Sequence, residues 1–220
     1  SGAHLYYCSQ GLERAKEIKR GRISQEILWD FENEYYSVKW LDNFTEEEIM
    51  EGLLANSKYK PVESGKIYNI VNMGYGTVIY ENTNGNQVRC QNADKSKFSQ
   101  YWRLINENGK YYIQNVLSER YIKKQNGAFS QIYSTSATKS VSANGFTLSK
   151  TDNDTEHTYA IVDQNPAGLH CDASSNVVGW YYTDNNNSIW GFQPVEVTEE
   201  EIAEARKSYI EFEELSKNLS

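Results

Sequence analysis

Residues 65–195 contain the same pattern of short apolar segments three times in succession. Three aromatic residues, Trp102, Phe146 and Trp190, follow one another at intervals of 44 residues. The differences in length between the copies fall in segments rich in Asn, Ser and Gly. A fixed period of about 20 to 50 residues is typical of repeat architectures, and it restricts the fold more than any other feature of this chain.

Each copy is composed of short strands. Tyr68 and Ile70 alternate with polar neighbours, which places both side chains on one face of a pleated strand. Asn-Gly pairs, which tolerate the positive φ of tight turns, separate many of the segments. The pairs are Asn84-Gly85, Asn108-Gly109, Asn126-Gly127 and Asn144-Gly145. Three units of about four strands, each too small to bury its apolar face alone, must share one core.

The repeats resemble the ricin-type lectins. The likeness rests on the length of the units and on the aromatic residue that closes each one, which in the first copy belongs to a Gln-any-Trp motif, Gln100-Tyr101-Trp102. The second copy has Asn144-Gly145-Phe146 and the third has Ser188-Ile189-Trp190 at the same place, so one motif is intact. The resemblance implies a mainly β fold, the β-trefoil, with these three aromatic residues in its core.

The trefoil region lies between two helical segments. We expect a helical N-terminal segment at 1–62, a β-trefoil at 63–196 and a C-terminal helix at 197–220. The repeats are predicted at about 65–107, 108–152 and 153–195. Two helices are predicted before residue 45, in a segment whose aromatic surface we expect to pack on the trefoil or on another domain.

The remaining two predicted helices begin with the same residues. A capping box of Thr45 and Glu48 predicts a helix that ends near Ser57, and Thr198 with Glu201 repeats the box. The apolar stripe of the last helix is Ile202, Ala205, Tyr209, Phe212 and Leu215. Both are either ordinary amphipathic helices with solvated charged faces or a pair that fastens the trefoil to a neighbouring domain.

Composition and motifs exclude several function classes. The net charge of −8 disfavours nucleic acid and anionic membranes as partners, and no stretch approaches the ~18 apolar residues of a membrane span. No catalytic serine or phosphate-binding motif occurs, so we expect neither an enzyme nor a cofactor. In His170-Cys171-Asp172, adjacent strand residues point to opposite faces, and we therefore expect no metal site.

Sugar binding needs an aromatic ring against the C–H face of a pyranose, and carboxylate or amide groups for its hydroxyls. The resemblance implies an acidic residue after the second strand of a unit, a ring on the third strand and an amide before the closing Trp. In the third copy these are Asp172, Trp180 or Tyr182, and Asn187. This copy is therefore our candidate site.

The other two copies are predicted to be degenerate. The first offers Glu81 and Gln100 but has Val88 and Cys90 where the ring belongs. The second offers Tyr133 and Asn144 but has a cation, Lys124, in the acidic position.

The resemblance implies a non-catalytic carbohydrate-binding module, an accessory part of a larger extracellular protein. It would bind a neutral glycan or polysaccharide mainly through the third repeat, beside neighbouring domains, and be secreted or held at the cell surface, although no signal peptide opens the chain. The alternative is a structural or protein-interaction trefoil whose sugar sites are degenerate. Exposure of Trp180, Tyr182 and Asp172 around one concavity would favour the first function. Burial of those rings against the N-terminal helices would favour the second.

Overall fold

The structure, a computed structural model, covers most of the chain after residue 44. It describes residues 45–84, 86–152, 154, 156–183 and 185–219. These residues belong to two compact units, of which one contains the described residues from 45 to 59 and from 152 to 157 and the other contains those from 60 to 151 and from 158 to 219. The two helices predicted before residue 45 lie outside the described residues.

The described part of the first unit contains helix α1 (Glu46–Asn56). Thr45 Oγ1 accepts a hydrogen bond from the Glu48 amide at 3.1 Å, and Glu48 Oε1 accepts one from the Thr45 amide at 3.2 Å. This reciprocal pair satisfies two amides that the first turn leaves without helical partners. The capping box and the end of the helix beside Ser57 confirm the sequence prediction.

The second unit contains twelve strands among its described residues, four for each sequence repeat. Those of the first repeat are β1 (Ile67–Asn72), β2 (Val78–Asn82), β3 (Gln87–Gln91) and β4 (Trp102–Glu107). Those of the second are β5 (Lys110–Asn115), β6 (Tyr121–Ile122), β7 (Thr135–Ser136) and β8 (Thr147–Lys150). Those of the third are β9 (Thr158–Gln164), β10 (Ala167–Cys171), β11 (Val177–Tyr181) and β12 (Trp190–Pro194).

The first and last strands of each repeat form a closed ring of six. Strand β1 pairs with β4 and β12, β4 pairs with β5, and β9 pairs with β8 and β12. A bridge between Tyr111 and Phe146 joins β5 to the start of β8. Ring closure leaves none of these strands at a free edge, which is how barrels avoid exposing unpaired backbone groups.

The inner strands of each repeat form three hairpins, β2–β3, β6–β7 and β10–β11. Each hairpin segment contacts the other two through isolated β-bridges. The bridges are Gln87–Ser134, Arg89–Asn176 and Ile132–Val178. The hairpins therefore hold one another in place, and a loop of one repeat lies against a strand of the next.

The core lies inside the ring. Trp102, Phe146 and Trp190 are fully buried, which confirms the prediction that they are core residues. Each stands opposite the tyrosine that opens its own repeat. The pairs are Tyr68–Trp102, Tyr111–Phe146 and Tyr159–Trp190. The three-fold period of the sequence therefore corresponds to a three-fold arrangement of one packing unit.

Two of the predicted Asn-Gly turns are confirmed. Asn108-Gly109, with φ values of 52° and 79°, joins β4 to β5 as a two-residue hairpin turn. Asn126-Gly127 has φ values of 55° and 82° in the loop between β6 and β7. The predicted turn at Asn84-Gly85 is not tested, because Gly85 lies outside the described residues.

The prediction of a tight turn at Asn144-Gly145 was wrong. Gly145 has a φ of −86°, and Asn144 is fully buried at the end of the one-turn helix α2 (Val141–Asn144). The side-chain Nδ2 of Asn144 donates to Ile122 O at 3.2 Å, and its Oδ1 accepts from the Ser140 backbone amide at 3.1 Å. The asparagine is therefore selected for its buried side-chain hydrogen bonds, which a dipeptide pattern does not reveal.

Helix α3 (Glu199–Asn218) begins with the predicted capping box, because Thr198 Oγ1 accepts from the Glu201 amide at 3.1 Å. Its first turn packs on the barrel through Ile202, which is buried in an apolar cluster. The other buried members of the cluster are Ile67, Tyr101 and Val116. Arg103 Nη2 adds an ion pair with Glu199 at 2.8 Å.

The apolar stripe predicted for α3 is buried only at its N-terminal end. Phe212 is 63% exposed and Leu215 is 62% exposed, whereas Ile202 is buried. Among the described residues, no helix combines the length and the apolar character needed to cross a membrane.

Candidate ligand-binding site

The third repeat contains a depression beside the β10–β11 hairpin, with a volume of about 240 Å³. It is lined by Ser130, His170, Asp172, Val178 and Trp180. His170 pairs directly with Val178 across the hairpin. Since alternate residues of a strand share a face, Asp172 lies on the face of His170, and Trp180 lies on the face of Val178. The hairpin therefore brings a carboxylate, an imidazole and an indole to one surface.

Asp172 also closes the hairpin turn. Its Oδ1 accepts the backbone amides of Ser174 at 2.9 Å and Asn176 at 2.8 Å, and its Oδ2 receives only a 3.4 Å contact from the Asn176 side chain. One carboxylate oxygen therefore organises the turn. The other has acceptor capacity for a ligand in the depression.

His170 is held by a short chain of hydrogen bonds. Ser188 Oγ donates to Tyr181 O at 2.9 Å, and His170 Nδ1 lies 2.8 Å from the same Ser188 oxygen. A carbonyl only accepts, so the hydroxyl proton points to Tyr181 and the oxygen accepts from His170. We therefore assign the Nδ1–H tautomer to the neutral imidazole.

Ser188 occupies the position that Gln100 and Asn144 hold in the other repeats, and all three side chains are fully buried. Gln100 uses its longer amide to donate to Asn92 O at 2.9 Å and to accept the Asp94 amide at 2.8 Å. Ser188 makes the first of these bonds, to Tyr181 O, and the His170 ring takes the place of the second partner. His170 was not among the predicted site residues, although its spacing of two from Asp172, which directly follows β10, was an available signal.

Tyr182 and Asn187, the other two predicted site residues, do not line this depression. The Tyr182 amide donates to Pro166 O at 3.2 Å, and its hydroxyl donates to Asn165 Oδ1 at 3.5 Å, which places the ring beside the β9–β10 turn. Asn187 packs on Gly74, where an added Cβ would come within 1.7 Å of the Asn187 Oδ1. The structure thus brings Asp172 and Trp180 together and separates them from these two residues.

Two indole hydrogen bonds show which residues of the first repeat correspond to which residues of the third. Trp102 Nε1 donates to Ile79 O at 2.9 Å, and Trp190 Nε1 donates to Leu169 O at 2.9 Å. Ile79 therefore matches Leu169, and three residues further on Asn82 matches Asp172. Asn82 Oδ1 accepts the amide two residues ahead at 3.2 Å, as Asp172 does. Across the hairpins, Gln91 opposes Val78 as Trp180 opposes Gly168.

This register corrects the assignment of Glu81 to the acidic position. Glu81 is buried one residue earlier, and its Oε2 accepts from Ser118 Oγ at 2.6 Å. Burial raises the pKa of the Glu81 carboxyl above its usual range. The first repeat therefore presents Asn82 and Gln91, which supply neither a carboxylate nor a ring.

In the second repeat, the ring of Tyr133 is fully buried. Its hydroxyl donates to Asp163 Oδ2 at 2.9 Å, and that oxygen also accepts the Gln125 amide at 2.7 Å. Burial and the neighbouring carboxylate raise the pKa of the Tyr133 hydroxyl. Tyr133 is a core residue and offers no surface for stacking.

A metal centre finds no support in the described part of the chain. No group of three or more His, Cys, Asp or Glu side chains lies close enough there to hold an ion.

Comparison with known proteins gives matches at the level of structure. No family model matches the sequence, and no curated protein matches it. The ricin B-like lectin of Macrolepiota procera, solved in complex with lactose, superposes with a TM-score of 0.53 and 15% identity, over 61% of this chain and 99% of that one. The Rhizoctonia solani agglutinin superposes with a TM-score of 0.51 and 20% identity, over 61% and 99%.

A larger protein contains a similar part. The GlcNAcα1-4Gal-releasing endo-β-galactosidase of Clostridium perfringens matches with a TM-score of 0.52 and 16% identity, over 62% of this chain and 34% of the enzyme. Three repeats of four strands, the closed six-stranded ring and these superpositions lead to one conclusion. The chain has the β-trefoil fold of the ricin B-like lectins.

Proposed function

We propose that this protein is a non-catalytic carbohydrate-binding module that binds a neutral glycan at the depression of the third repeat. The observation that carries the proposal is the placement of Trp180, a half-buried ring, on the same hairpin face as the Asp172 carboxylate. An indole offers an apolar face to the C–H groups of a pyranose. A carboxylate oxygen accepts hydrogen bonds from its hydroxyls more strongly than a neutral acceptor does.

The electrostatics and the comparisons support the same function. A net charge of −8 disfavours anionic ligands, so a neutral sugar is the better fit. Among proteins with this fold, the Macrolepiota procera lectin was solved with lactose. The similar part of a galactosidase supports an accessory role within a larger protein, and we extend the proposal to a secreted or cell-surface location.

The test compares the protein with its Trp180→Ala and Asp172→Asn variants on an array of neutral glycans, followed by calorimetry on each hit. Asparagine keeps Oδ1 as an acceptor for the turn and removes the charge. We expect Trp180→Ala to weaken binding about ten-fold, since a lost ring contact is worth ~1 to 2 kcal/mol. Asp172→Asn should weaken binding as well.

The matched control is Tyr75→Ala, which removes a 50% exposed ring from the β1–β2 turn of the first repeat. Circular dichroism and a thermal unfolding curve should show that each variant is folded. Absence of binding to any glycan by the folded parent protein would contradict the proposal and leave the structural alternative.

A further inference from the structure

A loop of the second repeat lies along strand β11 of the third. The Ser130 amide donates to Gly179 O at 2.9 Å, and the Gly179 amide donates to Gln131 O at 3.2 Å. The bridge between Ile132 and Val178 continues the pairing. The loop is therefore fixed to the hairpin that carries the candidate site.

The contact requires glycine at position 179. A Cβ added there would come within 2.0 Å of Ala128 O, a backbone atom that has no room to move while the loop is paired. Ser130 has a φ of 59°, which is unusual for a residue other than glycine and is retained only where the surrounding contacts demand it. These two restraints flank Phe129 and fix the position of its backbone.

Phe129 stands against both rings at the end of β11. Its centroid lies 4.6 Å from that of Tyr181 and 5.8 Å from that of Trp180. Trp180 and Tyr181 are themselves 5.8 Å apart, and Tyr181 is 44% exposed. Ser130, the next residue of the loop, lines the depression. Phe129 therefore packs against Trp180, which lines the depression, and against the partly exposed ring of Tyr181, so the aromatic cluster extends from the depression along β11.

We propose that Phe129 and Tyr181 form a second sugar subsite, so that the module binds an internal or terminal stretch of at least two sugar residues rather than one. This inference rests on the proposed function. An aromatic ring that stacks on a pyranose contacts one sugar residue, so further rings beside Trp180 can contact the next sugar of the same chain. Because Phe129 comes from the second repeat and Tyr181 from the third, the site spans the junction between these two repeats.

The experiment is a chain-length series. Galacto-, xylo- and cello-oligosaccharides of one to four residues are titrated by calorimetry into the protein and into Phe129→Ala, Tyr181→Ala and Trp180→Ala. We expect the affinity of the parent protein to rise with length up to at least two residues. The ratio of tetrasaccharide to monosaccharide affinity should fall about five- to ten-fold in Phe129→Ala and in Tyr181→Ala.

The outcomes separate the two proposals. Trp180→Ala should lower the affinity for every length, whereas Tyr75→Ala should leave the ratio unchanged. If the ratio of tetrasaccharide to monosaccharide affinity is unchanged in both Phe129→Ala and Tyr181→Ala, and Trp180→Ala still weakens binding, the second subsite is overturned. The proposed carbohydrate-binding function then stands. Absence of binding by the parent protein to all three series and to every glycan of the array would overturn both.

Discussion

The first and third repeats share their backbone plan and differ in what they present to solvent. In both, an indole N–H reaches the carbonyl of the second strand at 2.9 Å, and an Asn or Asp side chain closes the hairpin turn. The first repeat has Asn82 and Gln91 where the third has Asp172 and Trp180. The residues that build the repeat are thus kept, while those that would bind a ligand vary, which is how one fold accommodates different sites.

The largest expected effect tests the shared part of this comparison. Trp190→Ala and Trp102→Ala should each destabilise the protein by about 3 to 5 kcal/mol, because both remove a fully buried ring and leave a buried carbonyl without its donor. Urea unfolding followed by circular dichroism measures the cost. The milder Trp190→Phe, which copies Phe146 of the second repeat, should cost less. If the free energy of unfolding falls by less than about 1 kcal/mol in one alanine variant and by the expected amount in the other, the two repeats differ in their packing.

The second prediction concerns the hairpin turn. Asp172→Ala removes a charged acceptor of two backbone amides and should cost about 1.5 to 3 kcal/mol. Asn82→Ala removes a neutral acceptor of one described amide bond and should cost about 0.5 to 1.5 kcal/mol. The same urea series measures both. Equal costs would mean that the carboxylate contributes nothing to the turn beyond what an amide supplies.

The third prediction transfers the site. Asn82→Asp combined with Gln91→Trp gives the first repeat the carboxylate and the ring of the third, in the register that the indole bonds define. We expect calorimetry with a glycan that binds the parent protein to show a second, weaker site per chain, while Gln91→Trp alone should add much less. A stoichiometry that stays at one in a folded double variant would mean that the pair is insufficient.

Periodicity was enough to predict three repeats of short strands that share one core, because each repeat carries its own alternation, its own turn residues and its own closing aromatic residue. The β-trefoil itself was predicted from the resemblance to the ricin-type lectins. The selection of Asp172 and Trp180 came from the same resemblance, which also offered Tyr182 and Asn187 and could not show that these two lie elsewhere. The register of the first repeat could not be predicted from the sequence. A shift of one residue moves a side chain to the opposite face, and only the indole bonds of the folded chain distinguish Glu81 from Asn82.

Phe129 shows a second limit of the sequence. It lies in an irregular loop, and its contacts with Trp180 and Tyr181 join residues more than fifty positions apart. A local pattern cannot report such a contact, although Gly179, where β11 meets that loop, marks the point of closest approach.

The smallest expected effect tests a buried carboxyl of the first repeat that the third repeat lacks at the same position. In the common register, Glu81 of the first repeat matches Cys171 of the third, and both side chains are buried. Burial raises the pKa of the Glu81 carboxyl in the folded protein above its value in the unfolded chain. The folded state therefore binds this proton more tightly, so the group favours folding below its unfolded pKa, and that contribution is lost as the pH rises through the folded pKa.

Glu81→Gln keeps an oxygen that can accept from Ser118 Oγ and stays uncharged at every pH. The variant should therefore be more stable than the parent protein at pH 7, and the difference should shrink as the pH falls toward 4. Urea unfolding at pH 4, 5, 6 and 7 measures it, with Glu196→Gln at an exposed position as the matched control. If the two unfolding free energies keep a constant difference over this range, the nearby Arg120 offsets the burial of the charge. Glu81 would then be a stabilised carboxylate at the position where the third repeat has the Cys171 thiol.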